Sequence, residues 1–371
     1  MRVILLNNSF GGQFSITSFG ESHGKSVGCL VDGCPSNFKL LASDIQRELE
    51  RRRPGKTKFV SPRGEKDEVE ILSGIFNSRT TGNPIALLIN NADVRSRDYS
   101  NLATSFRPGH ADFSYFVKYS NRDYRGGGRA SARLTAPLVA GGAVAKRWLG
   151  YHYGTIFQSF VSGVGSIRFP FTHWFYVNRT PFFIPTTKLL NSSDLIKRLV
   201  SIGNSVGADA LLQISNVPAG LGEPLFNKIT AHLASGIMGT NAVKAVRFGQ
   251  NSRAFPMGSE QNDPITSIGF LSNNWGGVAG GISTGQDVVL SVSVKPTSSI
   301  NQYKRSLDER GEPLLLKTKG RHDPCVGLRI PPILEAVGAI VTMDLVLQHR
   351  PQDFRRGAGL ISLCHPKAYL Y

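Results

Sequence analysis

Long apolar runs are missing from this 371-residue sequence. None approaches the roughly 18 residues that a bilayer-spanning helix needs, so no membrane partner is expected. Residues 1–9 hold only Arg2 and the short run Val3 to Leu6, too little for the apolar core of a secretory leader. Cysteine is scarce as well. Cys29, Cys34, Cys325 and Cys364 form no C-x-x-C pair, which suggests neither a zinc ribbon nor a disulfide framework. Reduced, buried thiols in a cytoplasm are the plain reading. No grouping has metal-ligand spacing, so no metal is expected. Acidic residues are in deficit: 26 Asp and Glu stand against 43 Lys and Arg, a formal net charge of +17. Such an imbalance implies an anionic partner, whether nucleic acid, acidic membrane or a phosphorylated small molecule.

An apolar fraction of 40% and a charged fraction of 19% belong to a soluble globular protein of one large or two ordinary domains. The positive charge is clustered. Residues 44–66 hold Arg47, Arg51, Arg52, Arg53, Lys56, Lys58, Arg63 and Lys66; residues 95–133 hold Arg95, Arg97, Arg107, Lys118, Arg122, Arg125, Arg129 and Arg133. Most of the second set lie among Gly, Pro, His and Ser, and the nearby Phe106, Phe113, Tyr115 and Tyr124 follow no stacking period. A converging pocket for a polyanionic small molecule therefore fits better than a nucleic-acid groove.

Periodicity predicts strands over 13–17, 27–31, 68–72, 85–89, 208–217, 243–248 and 287–294. Helices are predicted over 44–53 with Ser43 as cap, 129–149 with a kink at Pro137, 223–237, and 333–347 opened by Pro331 and Pro332. The strands and helices alternate irregularly, as in a mixed α/β (α+β) chain. The aromatic-rich stretch 159–187 has no clear period and reads as an excursion packed on the surface.

Five short constellations carry chemistry. TSFGESHG (17–24) sets His23 between glycines after a strand, where backbone can approach a ligand and imidazole can move a proton. FRPGHAD (106–112) sets His110 on a turn beside Arg107, with Asp112 able to fix the ring tautomer. RGGGRASAR (125–133) feeds three glycines into an expected helix start, a phosphate-binding arrangement, with Arg129 and Arg133 one turn apart. NWGGVAGGISTG (274–285) reads equally as a flat-ligand contact or a tight β-turn system, and the KPTSS that follows at 295–299 offers one cation and three hydroxyls. KGRHDPC (319–325) is as compatible with a surface turn as with a site. No Walker or Rossmann spacing is present.

Taken in order, FGESHG (19–24), RRRPG (51–55), residues 106–112, 125–133, 276–285, 295–299 and 320–326 resemble the signature segments of the chorismate synthase family. The resemblance spans roughly residues 10–350 and implies a single catalytic domain over 1–350, with 351–371 as a tail. It implies a β-α-β sandwich with internal duplication, a homotetramer, and a cytoplasmic enzyme of the shikimate pathway. The implied reaction is a 1,4-anti elimination of phosphate from 5-enolpyruvylshikimate-3-phosphate, dependent on reduced FMN, with NADPH a candidate reductant.

Residue by residue, the resemblance implies His23 as the group protonating the leaving phosphate. His110 is implied as the one protonating reduced flavin, and Asp323 as the acid assisting removal of the C6 proton. Cofactor contacts are implied for Arg129, Ala130, Ser131, Asn241, Ala242, Gly280, Lys295, Pro296, Thr297, Ser298, Ser299 and Arg321. Substrate or NADP contacts are implied for Arg52, Lys58, Arg107 and Arg133. Lys58 stands where the family usually has arginine, an ammonium in place of a bidentate fork. Asn301, Gln302 and Tyr303 replace the usual Pro-Gly-Arg after KPTSS. A flavin oxidoreductase, turning over hydride without a phosphorylated substrate, and an RNA-binding protein, with salt-sensitive affinity, are the rival classes.

Overall fold

Alternating burial builds two antiparallel sheets. In the computed structural model, which describes residues 8–53, 65–92, 102–180, 182–186, 190–249, 257–267, 269–318 and 323–349, the first sheet holds five strands. They are β1 (Ser9–Phe10), β2 (Ser15–Gly20), β3 (Ser26–Asp32), β4 (Val69–Ile71) and β5 (Ile85–Asn90), in the order β1-β2-β3-β5-β4. Its inward residues include Val27, Cys29, Val31, Ile85, Leu87 and Ile89, all fully buried. The second sheet holds β6 (Ile156–Val164), β7 (Ile167–Arg168), β8 (Ala208–Ser215), β9 (Val243–Phe248) and β10 (Val288–Val294), in the order β7-β6-β8-β10-β9. In β8 the alternation is strict: Ala208, Ala210, Leu212 and Ile214 are buried and their neighbours are not.

Four helices fill the space between: α1 (Ala42–Arg52), α2 (Thr135–Tyr153), α3 (Ile229–Met238) and α4 (Pro331–Gln348). Helices α1 and α2 lie on the first sheet, α3 and α4 on the second, and α2 packs against α4. The result is the expected β-α-β sandwich. Its duplication is visible in connectivity, since β2-β3-α1-β4-β5-α2 and β6-β8-α3-β9-β10-α4 follow one plan with one strand order. One buried cluster runs from Phe14 to Leu345 and joins both halves.

The α2–α4 crossing is close because Gly142 has no side chain; a Cβ there would lie 2.5 Å from Ala336 Cβ and 2.6 Å from its Cα. Beside it Glu335, 1% exposed, accepts from Arg51 of α1 at 2.5 and 2.8 Å, from Lys146 of α2 at 2.7 Å and from Ser159 N of β6 at 3.2 Å. Burial raises its pKa, but the two cations outweigh burial and hold it at about 2.

Several expectations are corrected. Helix α1 starts at Ala42, with Asp44, not Ser43, accepting from the Leu41 N–H at 3.0 Å. Gly128–Ala130 and Ala132–Leu134 form two 3₁₀ turns, and α2 begins only at Thr135. Pro137 falls in the first turn, where its missing N–H has no intrahelical partner, and so requires no kink. Helix α3 begins at Ile229, not 223. The stretch 159–187 is no surface excursion. Its start is the central part of β6, and Val161, Val164, Phe169, Phe182 and Ile184 form a second buried cluster with Cys325. Helix α4 is long and apolar enough to cross a membrane by length and composition, yet it is a buried core helix. Cys29, Cys34 and Cys325 are free buried thiols, each pushed by burial up to about 12. Lys58, Arg321, Cys364 and the tail lie outside the described residues.

Candidate active site

All four helices turn one end toward the same cleft. Helix α1 ends there at Arg52, α3 ends there and runs on through Gly239–Val243, and α2 and α4 begin there at Thr135 and Pro331. The strand β10 delivers 295–299 beside Gly239–Val243, Lys295 N donating to Ala242 O at 2.9 Å, and the β2–β3 turn delivers His23. The cleft holds about 430 Å³. Arg52, Arg107, Arg133, Arg329, Lys244 and Lys295 line it, and the amino ends of α2 and α4 add partial positive charge. Anions are what such a wall attracts.

The structure brings His23, His110 and Asp323 to this one cleft, with Ala130, Ser131, Asn241, Ala242 and Lys295 through Ser299. His23 Nδ1 lies 3.1 Å from Ser22 Oγ. Its ring packs on Gly126, where a Cβ would approach Nδ1 to 2.1 Å and where φ is +73°, so only glycine fits that turn. His110 Nδ1 lies 2.9 Å from Asp112 Oδ1. Arg107 Nη2, a donor only, stands 3.2 Å from the same nitrogen, but the closer Asp112 carboxylate can only accept, which assigns the proton to Nδ1 and leaves Nε2 the basic nitrogen. Burial lowers the His110 pKa, with Arg107 and Lys295 adding to the effect and Asp112 opposing it. Asp323 is buried and ion-paired with Arg329.

Arg107 is a brace. Its Nε and Nη2 donate to Asp112 at 2.7 Å each, and Nη2 donates to Gly126 O at 2.8 Å, tying the two histidine turns together. Lys295 Nζ and Ser298 Oγ both donate to Gly109 O at 2.6 Å, which fastens the His110 turn to the 295–299 segment. Burial, then the neighbouring Lys244, lowers the Lys295 pKa. Among the described residues, Thr297 Oγ1 and Arg329 Nε are buried without a hydrogen-bond partner. The unpartnered Thr297 hydroxyl, two residues past Lys295 and its neighbour Lys244, fits an oxyanion such as the phosphate of FMN.

Arg52 and Arg133 meet on Asp67. Arg52 Nη1 donates to Oδ2 at 2.8 Å and Arg133 Nη1 donates to Oδ1. Burial lowers the Arg52 pKa to about 10, Asp67 opposing and Arg329 and Arg133 reinforcing.

Two expected positions stand apart. Arg129 and Arg133 do not point the same way, because Ser131 between them is extended. Arg129 lines a neighbouring depression and donates to Gly20 O at 3.1 Å and Ser18 Oγ at 2.7 Å, securing β2. Gly280 sits at the tip of the hairpin formed by Val278–Ala279 and Ile282–Ser283, outside the cleft lining, so that motif is at least in part a β-turn system. Sequence reading missed Glu65, Asp67, Lys244 and Arg329. Arg329 had a local signal, a cation six residues past Asp323; the others did not.

A family model for chorismate synthase matches residues 14–347. The chorismate synthase of Aromatoleum aromaticum is 51% identical over 362 residues, 97% of this chain and 95% of its own. That of a Polaromonas species is 52% identical over 347 residues, 93% of this chain and 95% of its own. A crystal structure of chorismate synthase superimposes with a TM-score of 0.70 at 29% identity, covering 91% of this chain and 93% of that one.

Proposed function

The chain belongs to the chorismate synthase family, enzymes of the final shikimate step, and from that premise we propose how its own residues work. The proposed reaction is the 1,4-anti elimination of phosphate from 5-enolpyruvylshikimate-3-phosphate. The observation that carries this reading is the convergence of His23, His110 and Asp323 in one cleft walled by six basic side chains. Reduced FMN held in this cleft would supply transient electron density to the reaction, with no net redox change.

Substrate anions bind to Arg52, Arg133 and Arg329, with the amino ends of α2 and α4 behind them. Lys295 through Ser299 would hold the FMN phosphate, with Ala242, whose carbonyl accepts from Lys295 N at 2.9 Å, and Asn241, Ala130 and Ser131 beside them. Asn241 Nδ2 donates to Ser131 O at 2.7 Å, which keeps those two segments together. His23 gives a proton to the departing phosphate. His110, its Nδ1 proton held by Asp112, offers Nε2 to the cleft as a proton-transfer site beside the cofactor. Asp323, steadied by Arg329, is the carboxylate that receives the C6 proton. Arg129 and Gly280 shape the surroundings, and Lys58 and Arg321 complete the reading from outside the described residues. Residues 1–350 act as one catalytic unit with 351–371 as a tail, assembled as a cytoplasmic homotetramer, with NADPH as candidate reductant.

The test is anaerobic: dithionite-reduced FMN and 5-enolpyruvylshikimate-3-phosphate are mixed with the protein and chorismate is measured. Chorismate formed at no net cost in reduced flavin supports the reading. NADPH oxidation that proceeds without the phosphorylated substrate, and no chorismate, would point instead to a flavin reductase.

A further inference from the structure

Asp67 is buried and touches neither of the histidines, yet it lies between two arginines of the cleft. Its side chain is 0% exposed, and those of Arg52 and Arg133 are 3% exposed each. The carboxylate gives one oxygen to each guanidinium. Every other bond fixes the orientation of the pair. Arg52 Nε donates to Thr135 Oγ1 at 3.1 Å and Nη2 to Ala132 O at 2.7 Å. Arg133 Nε donates to Asn91 Oδ1 at 2.8 Å and Nη2 to Asn90 O at 3.2 Å. A guanidinium carries five N–H groups; Arg133 Nη2 also faces Glu65 Oε2 at 3.8 Å, so among the described residues Arg52 keeps a second hydrogen on each terminal nitrogen, and Arg133 one on Nη1, outside these bonds. Both arginines line the cleft.

Two cations this close repel, and in a dry wall that repulsion is large. Without a counter-charge they would splay or draw in solvent. Glu65 ion-pairs with Arg133 at 3.8 Å, but Asp67 bonds both arginines and holds them in a common frame. We propose that Asp67 is a positioning residue, the bridge that presents Arg52 and Arg133 jointly to a single oxyanion of the phosphorylated substrate. This rests on the proposed function for the identity of that substrate, but not for the pairing itself.

The sign of one measurement separates positioning from mere charge balance. Asp67→Asn removes a negative charge beside an anion site, so if Asp67 only neutralises, anions bind more tightly. If it positions, they bind less tightly. In the full-length enzyme we expect Asp67→Asn to raise both KM for the substrate and Kd for inorganic phosphate, by calorimetry, about tenfold or more, with kcat within about threefold. Unchanged or tighter phosphate binding in the folded variant overturns the proposal. Should Asp67→Asn not fold, Asp67→Glu decides, since it keeps the charge and displaces the carboxylate by one methylene. A KM raised about threefold there supports the bridge, and a wild-type KM and Kd overturn it. Wild-type protein that binds phosphate but forms no chorismate would sink the functional reading alone, leaving the bridge to be judged on phosphate binding.

Discussion

His110 shows how much chemistry six residues can organise. Arg107, His110 and Asp112 lie on one turn, and their mutual bonds set a tautomer and a charge state together. Replacing His110 or His23 by alanine is expected to slow single-turnover chorismate formation at least about a hundredfold while the chain still folds, within the range for lost proton transfer. Near-wild-type rates in both would remove the mechanism. Asp323→Asn keeps size and most hydrogen bonding but cannot take a proton, so flavin and substrate titrations should stay within a few-fold of wild type. Its turnover is expected to fall about a hundredfold or more. If flavin binding collapses instead and turnover per bound flavin stays normal, Asp323 is a turn residue. These candidates were legible because each motif is local in sequence. The Arg52–Asp67–Arg133 bridge was not, since its members come from the end of α1, the segment before β4 and the turns before α2, and no spacing announces such a meeting.

At the scale of elements, the α2–α4 contact and its ion network carry the largest expected effects. Gly142→Val must push Ala336 backbone atoms aside, and a loss of about 1–3 kcal/mol in urea unfolding is expected. Glu335 has a folded pKa near 2. Because that lies below the unfolded value of about 4.3, its contribution is complete above that pH and disappears as pH falls toward 2. Glu335→Gln leaves Arg51 and Lys146 short of a partner and should cost about 3 kcal/mol at pH 7. It should also flatten the acid limb of the stability profile; an unchanged limb would show that other carboxylates control it. Strands with strict alternation, such as β8 and β5, were readable from pattern alone. β6 was not, because Phe157, Ser159, Phe160, Val161, Gly163 and Val164 are all buried, so both faces of the strand are covered and the period is erased.

For the whole molecule, the excess positive charge of +17 has a kinetic reading. Anionic substrate is drawn toward a basic cleft, so kcat/KM is expected to fall by roughly tenfold between low and 0.5 M salt, while kcat changes little. A salt-independent kcat/KM would mean that the charge serves some other surface. The duplicated plan was not detectable in the residues themselves, for the halves share connectivity and strand order with no visible repeat; only the paired topology discloses it.

That topology has an evolutionary consequence. A cleft between two identical subunits can offer only matched pairs of groups, one from each side. Here corresponding places have diverged: α1 ends in Arg52, while its counterpart α3 leads into Asn241, and the turn between β2 and β3 carries His23. Joining both halves in one chain allows each side to mutate alone. The proposed elimination, which takes a proton from one carbon and phosphate from another, calls for an acid on one flank and a base on the other, a handedness that one chain carrying both halves can supply.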